Sequence, residues 1–243
     1  MDVTQSIDGE RLIAVFTAVV EQLGHTLPKS YELVLHDLSK LPNSIVAISG
    51  EVTNRAVGDP ATDLLLKQAA SGKFENRHAY DTQLSDGRKL RSSTMIIEDV
   101  SGNPVAALCT NADLSIAEQL QEVTNRVFAA IGVPSGVSVA PVSQPQASIE
   151  LPGSSPNGDE AFVHDVDELA SYLINSSITN VGVPVDLMQK QHKVEIVRDL
   201  KARGLFMLKD SVQLIAGELG VTRFTIYNYL NQIAEEEELL EQA

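Results

Sequence analysis

The residues whose types and spacing carry chemistry lie near the C-terminus, in Val212 to Ile233 (VQLIAGELGVTRFTIYNYLNQI). Arg223 offers a planar guanidinium that can donate two hydrogen bonds to guanine, and Asn228 an amide that pairs with adenine. Thr222, Thr225 and Tyr227 add hydroxyls suited to phosphate oxygens, contacts that position a helix without reading sequence. Lys209, just upstream, joins them as a candidate DNA contact. Recognition of a duplex is the chemistry implied. Bond-breaking chemistry finds no comparable set: there is no GxxxxGK, GxSxG or HExxH, and the five histidines (25, 36, 78, 164 and 192) are scattered without metal-ligand spacing. No enzymatic activity, cofactor or metal is expected.

Those side chains reach a groove only if two helices hold them at a fixed angle. Ile215, Ala216 and Leu219 end one helical pattern, Gly220 follows, and Ile226 and Tyr229 recur at buried spacing in the next. A helix-turn-helix needs this order: a small residue at the crossing, a glycine four residues later for a positive-φ turn, and apolar residues that lock the angle. Thr222 is the expected cap of the second helix, whose first turn then points outward. A helical hairpin used only for packing has the same pattern, and charge weighs between the two. The whole chain is strongly acidic at -15, yet Leu187 to Ile233 holds seven basic residues (Lys190, Lys193, Arg198, Lys201, Arg203, Lys209, Arg223) against four acidic ones, a balance of +3. The rest carries -18, so the acidity is segregated from the DNA-facing unit. Glu235 to Glu238 reads as a solvated helix end, or as a device that limits non-specific DNA binding.

Two further helices precede this motif. Val166, Leu169, Leu173 and Ile174 define one ending before Gly182, and Asp186 is the expected cap of another from Leu187 to Arg203, stopped by Gly204. Asp210 or Ser211 caps the helix after it. Upstream of all of these, Gly132 to Gly158 contains five Pro, six Ser and four Gly in 27 residues, a composition that reads as a flexible linker. The expected organisation is a domain over 1–131, a linker over 132–161 and a helical domain over 162–243.

The N-terminal region is read as α+β. A helix runs through Ile13, Phe16, Val20 and Leu23 to a stop at Gly24 and Pro28. Five strands follow: Tyr31–Leu38, Ser44–Ser49, Arg77–Leu84, Lys89–Glu98 and Pro104–Asn111, with Asp86-Gly87 and Ser101-Gly102-Asn103 as turns. Their hairpin order predicts an antiparallel sheet. Asp59 to Gly72 is expected to cross one face as a short helix. Ser115 and Glu118 fit a capping box for a closing helix, with Asp113 as a competing cap. Ile116, Leu120, Val123, Val127 and Ile131 form an apolar stripe on that helix, which is core in the commoner case and a self-association surface in the other. This element order fits a PAS-like sensor domain, and other α+β folds share it.

Composition bounds the rest. At 243 residues, 43% hydrophobic and 21% charged, the chain is of ordinary globular type with material for two cores. Cys109 alone excludes an internal disulfide or a cysteine-rich metal site and reads as a buried, inert thiol. The first ten residues are polar and acidic, unlike a signal peptide, and Leu12 to Val20 is too short for a membrane span of about 20 residues. A soluble, cytoplasmic protein without membrane association is expected.

At this point the sequence resembles a family, the bacterial transcriptional regulators in which a YheO-like PAS domain precedes a helix-turn-helix. The stretches that carry the likeness are LVLHDLSKLPNSIVAIS (33–49), VGDPATDL (57–64), LRSSTMII (90–97), ALCTNADL (107–114) and 193–231. It covers both domains and not the linker. The resemblance implies a cytoplasmic regulator whose PAS domain senses a small effector, amino-acid-like and with arginine as one candidate, and so alters binding of an operator in double-stranded DNA. It places His36, Asp37, Asp59, Asp63, Arg91, Ser93, Asn111 and Asp113, the polar positions of the matching stretches, as candidates to line the effector pocket. Each also has a structural explanation: a strand-end hydrogen bond for His36 and Asp37, a turn or cap for Asp59 and Asp113. A homodimer reading two half-sites is expected, with repression as its action. The alternative is a small-molecule sensor or adaptor whose C-terminal helices bind a protein partner.

Overall fold

The computed structural model describes residues 7–130 and 160–241, so the 131–159 stretch that contains most of the expected linker lies outside the described residues. The order of elements is α1 (Ile7–Gly24), β1 (Tyr31–Asp37), β2 (Ile45–Ser49), α2 (Asp63–Ser71), β3 (Arg77–Gln83), β4 (Lys89–Glu98), β5 (Pro104–Asp113) and α3 (Ser115–Ala130), then α4 (Val166–Val181), α5 (Lys190–Ala202), α6 (Ser211–Glu218) and α7 (Arg223–Glu241). The fold is α+β: an antiparallel five-stranded sheet with helices, followed by an all-helical unit. Sheet order is β2-β1-β5-β4-β3, so the first and last strands to form neighbours meet at the centre.

Alternation along β1 and β5 divides the sheet into two unlike faces. Leu33, Leu35, Ala106 and Ile97 face α1 and make an apolar core with Val20, Phe16 and Ile13. The register pairs Glu32 with Asn111, Val34 with Cys109 and His36 with Ala107, and it pairs Asn111 with Ser92 and Cys109 with Thr94, which puts all of these on the opposite face. On that second face Leu38, Ala61, Leu65 and Ala107 gather under α2 at one end, and Val52, Leu84 and Leu90 form a smaller apolar patch at the other. Between and beside them it carries a buried polar network.

Local chemistry explains where the elements begin. The helical crossing starts at Asp63 rather than Asp59, because the Asp59 carboxylate closes a turn on the Ala56 amide (2.8 Å) and Pro60 follows it, leaving Thr62 as the cap of α2. At α3 the Ser115 amide goes to Asp113 Oδ1 (2.8 Å), while the Glu118 carboxylate pairs with Lys89 (2.9 Å), so Asp113 is the cap and the Ser115–Glu118 box does not close. Val185–Leu187 is a single 3₁₀ turn, and α5 starts three residues later than expected, with His192 Nδ1 accepting the Gln189 amide (3.3 Å).

The helical unit has its own core, built by Leu169, Leu173, Val197, Leu200, Ile215, Leu219, Ile226 and Ile233. Leu66 of α2 is a fully buried member of that same core, so the two units meet at α2. Burial of a leucine side chain is worth about 1.5–3 kcal/mol, which makes this apolar insertion the larger contribution beside the longer-range pair between Arg203 and Asp63 at 3.7 Å. Opposite Leu66 stands Gly204, at φ +83, where a Cβ would lie 2.8 Å from the Leu66 carbonyl oxygen. Gly204→Ala is therefore expected to cost about 1–2 kcal/mol for the left-handed backbone alone, with a further loss from separation of the two units. Chemical denaturation of the full chain, with Gly217→Ala as a control at a position where a Cβ meets nothing, measures the difference.

Candidate nucleic-acid interface and sensor face

The helix-turn-helix is built by α6 and α7. Gly220 at φ +60 turns the chain, and the Val221 amide returns to the Ala216 carbonyl (2.9 Å), closing the first helix as the second opens. Lys193 from α5 donates to the Leu219 carbonyl (2.7 Å), satisfying an end that would otherwise lack a donor. Thr222 caps α7: its hydroxyl accepts from the Thr225 amide (3.2 Å) and bonds the Thr225 hydroxyl (2.9 Å). Thr225 is thus half-buried and turned toward the cap, whereas Thr222, Arg223, Tyr227 and Asn228 are exposed, as is Lys209 ahead of α6.

Helical spacing resolves what the exposed residues share. Ile226, Tyr229 and Ile233 are buried on one side of α7, and Arg223, Phe224, Tyr227, Asn228 and Asn231 form a continuous stripe on the other. Phe224, missed in the sequence reading, is 73% exposed in the first turn, an unusual place for a large apolar side chain unless something covers it. Its position beside Arg223 suits contact with a thymine methyl. The signal was the run of five polar or aromatic residues at that spacing, of which Arg223, Tyr227 and Asn228 were singled out and Phe224 and Asn231 were not.

Charge around the motif is more local than the sum of the basic residues implied. Arg198 and Lys201 of α5 pair with Glu236 and Glu237, and Arg203 faces Asp63 and Asp199, so three of the seven cations are already neutralised. The acidic run after the motif is therefore held by α5 at two positions. Lys209 and Arg223 make no ion pair among the described residues, and both stand at the exposed end of the motif.

The buried polar network of the sheet is the second site. Glu32, fully buried, accepts from the Thr53 amide (2.9 Å), the Thr53 hydroxyl (2.7 Å) and Asn111 Nδ2 (3.1 Å). Asn111 in turn accepts from Ser92 (2.8 Å), whose hydroxyl meets Thr82 (2.9 Å). Arg55 Nε donates to the Thr53 hydroxyl (3.1 Å), but its buried Nη1 has no hydrogen-bond partner. Glu160, at the far end of the expected linker, is buried over the same face near the Thr62 and Tyr80 hydroxyls, with its Oε2 unpaired. Burial raises its carboxyl above the usual range, and the nearby Asp63 adds to that, against the pull of Thr62 and Arg55.

The candidate pocket residues separate into groups. Asn111 is in the buried network. Asp63, at the start of α2, accepts the Ala161 amide (2.8 Å) and faces Arg203, and burial raises its carboxyl against those two interactions. His36 lies on the same sheet face, fully enclosed, with Nδ1 on the Ser44 hydroxyl (2.9 Å); burial, with the Arg55 charge, holds its pKa down to about 3. Asp37 binds the Ser39 amide and hydroxyl (3.0 and 2.6 Å) and Lys40, and Asp59 closes its turn. Asp113 caps α3 and pairs with Arg88 (2.9 Å) at the rim; burial pushes its carboxyl up, but the Ser115 and Arg88 bonds outweigh it and leave it low. Arg91 and Ser93 point away from the network: Arg91 is exposed with Asp81 (2.8 Å), and Ser93 accepts the Ala79 amide (2.9 Å) at the β3 bulge. Their strand neighbours Ser92 and Thr94 occupy the inner face instead, together with Tyr80. Cys109 keeps part of its surface accessible, but its thiol rests 3.5 Å from the Thr94 hydroxyl, and burial pushes it up to about 12, which leaves it unreactive.

These two sites, on this fold, define a helix-turn-helix protein with an attached five-stranded antiparallel sheet domain. Comparison with known proteins agrees: a YheO-like PAS domain model matches residues 7–129, about half the chain, and a helix-turn-helix domain model matches residues 169–231. The chain belongs to the YheO-like PAS family. It is similar to an uncharacterised protein of Haemophilus influenzae (26% identity over 95% of both chains) and to YheO of Escherichia coli K12 (24% over 91% of this chain and 84% of that one). It is also similar to the transcriptional regulator DauR of Pseudomonas aeruginosa, at 27% identity over 84% of this chain and 86% of that one. Among the described residues no helix is long and apolar enough to cross a membrane, and no group of side chains is arranged to hold a metal ion.

The buried His36 gives the sheet domain an acid limit. Its pKa lies below the ordinary 6.5, so the unfolded chain takes up a proton that the folded chain refuses between pH 6.5 and about 3; stability is full above 6.5 and falls as pH drops through that window. His36→Gln is expected to flatten the acid limb of thermal unfolding measured from pH 7 to 4, and an unchanged slope would assign the limb to other groups.

Proposed function

We propose that the chain is a DNA-binding transcriptional regulator, without enzymatic activity, whose sheet domain senses a small effector and modulates operator binding. The observation that carries it is the exposed stripe of α7, Arg223, Phe224, Tyr227, Asn228 and Asn231, set by a capped first turn against a fully packed opposite side. Thr222, Thr225 and Lys209 support that face. The name of the relative DauR and the family match support the regulatory reading. The sensor domain is taken as 1–131, the linker as 132–161 and the DNA-binding domain as 162–243, in a cytoplasmic protein. Repression is the proposed direction. An amino-acid-like effector, arginine included, is the proposed class, since Asn111, Glu32, Arg55 and Asp63 give both donors and acceptors. The adaptor alternative, in which the helices bind a protein, has no observation in its favour that DNA binding lacks.

A homodimer completes the reading. None of the sixteen residues of α3 is buried, and Ile116, Leu120, Val123 and Val127 are 64, 64, 57 and 54% exposed, so the expected core role of this stripe is not met within one chain. A solvated helix with such a stripe gains little from its own hydrogen bonds, and a second copy covering it places two recognition helices for two half-sites.

Binding of the full chain to DNA from upstream of its own gene, in a salt series, tests the regulator. Saturable binding that weakens with salt is expected, and Arg223→Ala is expected to lose about 1–3 kcal/mol of discrimination between operator and random DNA with folding intact. Folded protein that binds no DNA would turn the assignment to the adaptor. Independently, Leu120→Glu combined with Val123→Glu is expected to convert a dimer to a monomer in sedimentation velocity and to weaken operator binding at least tenfold; a wild-type chain that is already monomeric at high concentration would remove the stripe from that role.

A further inference from the structure

Residues 160–163 lie in an extended stretch between the two units, and their side chains alternate. Glu160 and Phe162 go to the sheet: Glu160 lies near the Thr62 and Tyr80 hydroxyls, and Phe162 packs onto Val52, Leu84 and Leu90 with the Arg55 guanidinium 5.1 Å from its ring centroid. Ala161 and Val163 go the other way, into the core of the helical unit with Leu169 and Leu66. One hydrogen bond, donated by the Ala161 amide to Asp63 Oδ1 (2.8 Å), holds the stretch in register. The polar face of a sheet domain is thus covered by a carboxylate and an aromatic ring of the chain itself, two residues apart.

The fit on the sheet side is incomplete in a specific way. Arg55 Nη1 and Glu160 Oε2 are both buried, of opposite charge and each without a hydrogen-bond partner, although they share one enclosed face. A buried guanidinium nitrogen left without an acceptor is costly, and a carboxylate free to move has an acceptor to offer it. We propose that Glu160–Val163 is an internal ligand, and that the face it covers is a binding site for a small carboxylate with an aromatic or apolar body, which binds by displacing Glu160 and Phe162. The carboxylate of such a molecule takes the hydroxyls of Thr62 and Tyr80 and the free Arg55 Nη1, and its body takes the place of the Phe162 ring on Val52, Leu84 and Leu90. Because Ala161 and Val163 are set in the helical core, leaving the sheet pulls on the unit that carries α6 and α7. This deepens the effector-sensing reading above and rests on it.

The test uses the full chain with Glu160→Ala and Phe162→Ala, and as probe a fluorescent synthetic peptide of residues 160–165. The double variant is expected to bind the peptide at least tenfold more tightly than wild type does, to lose that binding when the peptide carries Ala in place of its Glu and Phe, and to release the peptide to 3-phenylpropionate. A folded double variant that binds the peptide no better than wild type, or equally well without its Glu and Phe, would overturn the proposal. Should the variant not fold, hydrogen exchange on wild type decides: the Ala161 amide is expected to exchange at least tenfold faster in saturating 3-phenylpropionate while the β1–β5 amides stay protected, and an unchanged rate overturns it. No DNA enters either assay, so their failure is distinguishable from a failure of the regulator reading, which the operator titration alone decides.

Discussion

One turn of α2, with Leu66 in the helical core and the partly buried Asp63 carboxylate beside it, sets how the two halves of the molecule meet. Asp63 stands at the first turn of α2, where a helix N-terminus favours negative charge, and from there it holds the Ala161 amide and faces Arg203. Burial works against its ionisation, so the hydrogen bond and the guanidinium are what keep a charge tolerable at that point. Arg203 is in turn committed to Ser176, Ser177 and Asp199 and lies against the Tyr172 ring. The chain of contacts therefore runs from the sheet, through α2, to α4 and α5, without a gap in which either side could shift alone.

Different parts of this arrangement were legible in the sequence to different degrees, and the reason is the range of the interaction. The helix-turn-helix depends on contacts within about twenty residues: Ala216 at the crossing, Gly220 at the turn, Thr222 at the cap. Local pattern suffices for those, and the five strands with their turns were equally local. The pocket candidates required knowing which face each strand residue takes. Ser92 and Thr94 alternate with Arg91 and Ser93, and nothing in LRSSTMII states which pair turns inward until Asn111 and Cys109 are found opposite them. Glu32 and Arg55 were invisible for a related reason: their partners come from the Thr53 turn, from Asn111 and from Phe162, far along the chain. Composition drew the linker through Ala161, and only tertiary packing distinguishes Glu160 and Ala161 from the Pro-, Gly- and Ser-rich residues before them.

The helical unit shows how packing, rather than propensity, directs a recognition surface. Ile226, Tyr229 and Ile233 consume one side of α7, and the cap from Thr222 fixes where its first turn begins. With those two constraints set, the outward direction of Arg223, Phe224 and Asn228 is determined. The exposed Phe224 then becomes informative, since a polar residue there would cost nothing in folding, and an apolar one stands at a position that the core does not use. Basic charge contributes less than its count suggests, because α5 spends Arg198 and Lys201 on the acidic end of α7.

A covering segment tethered to the face it covers also sets the terms on which any effector can act. A segment of the same chain binds intramolecularly, so a free molecule competes against a ligand that never diffuses away. The apparent affinity of the effector falls by the fraction of molecules in which the face is open, and the same fraction sets how much of the DNA-competent or incompetent state exists in its absence. A snug internal ligand would leave a sensor silent at metabolite concentrations. The unpaired Arg55 Nη1 and Glu160 Oε2 mark the covered state as less than fully satisfied, which lowers the barrier a small carboxylate has to meet. In the proposed sensor it is also a condition for signalling: since Ala161 and Val163 belong to the helical core, displacement would act on the helices that carry the α7 stripe, and an effector that bound beside the segment without moving it would change nothing there.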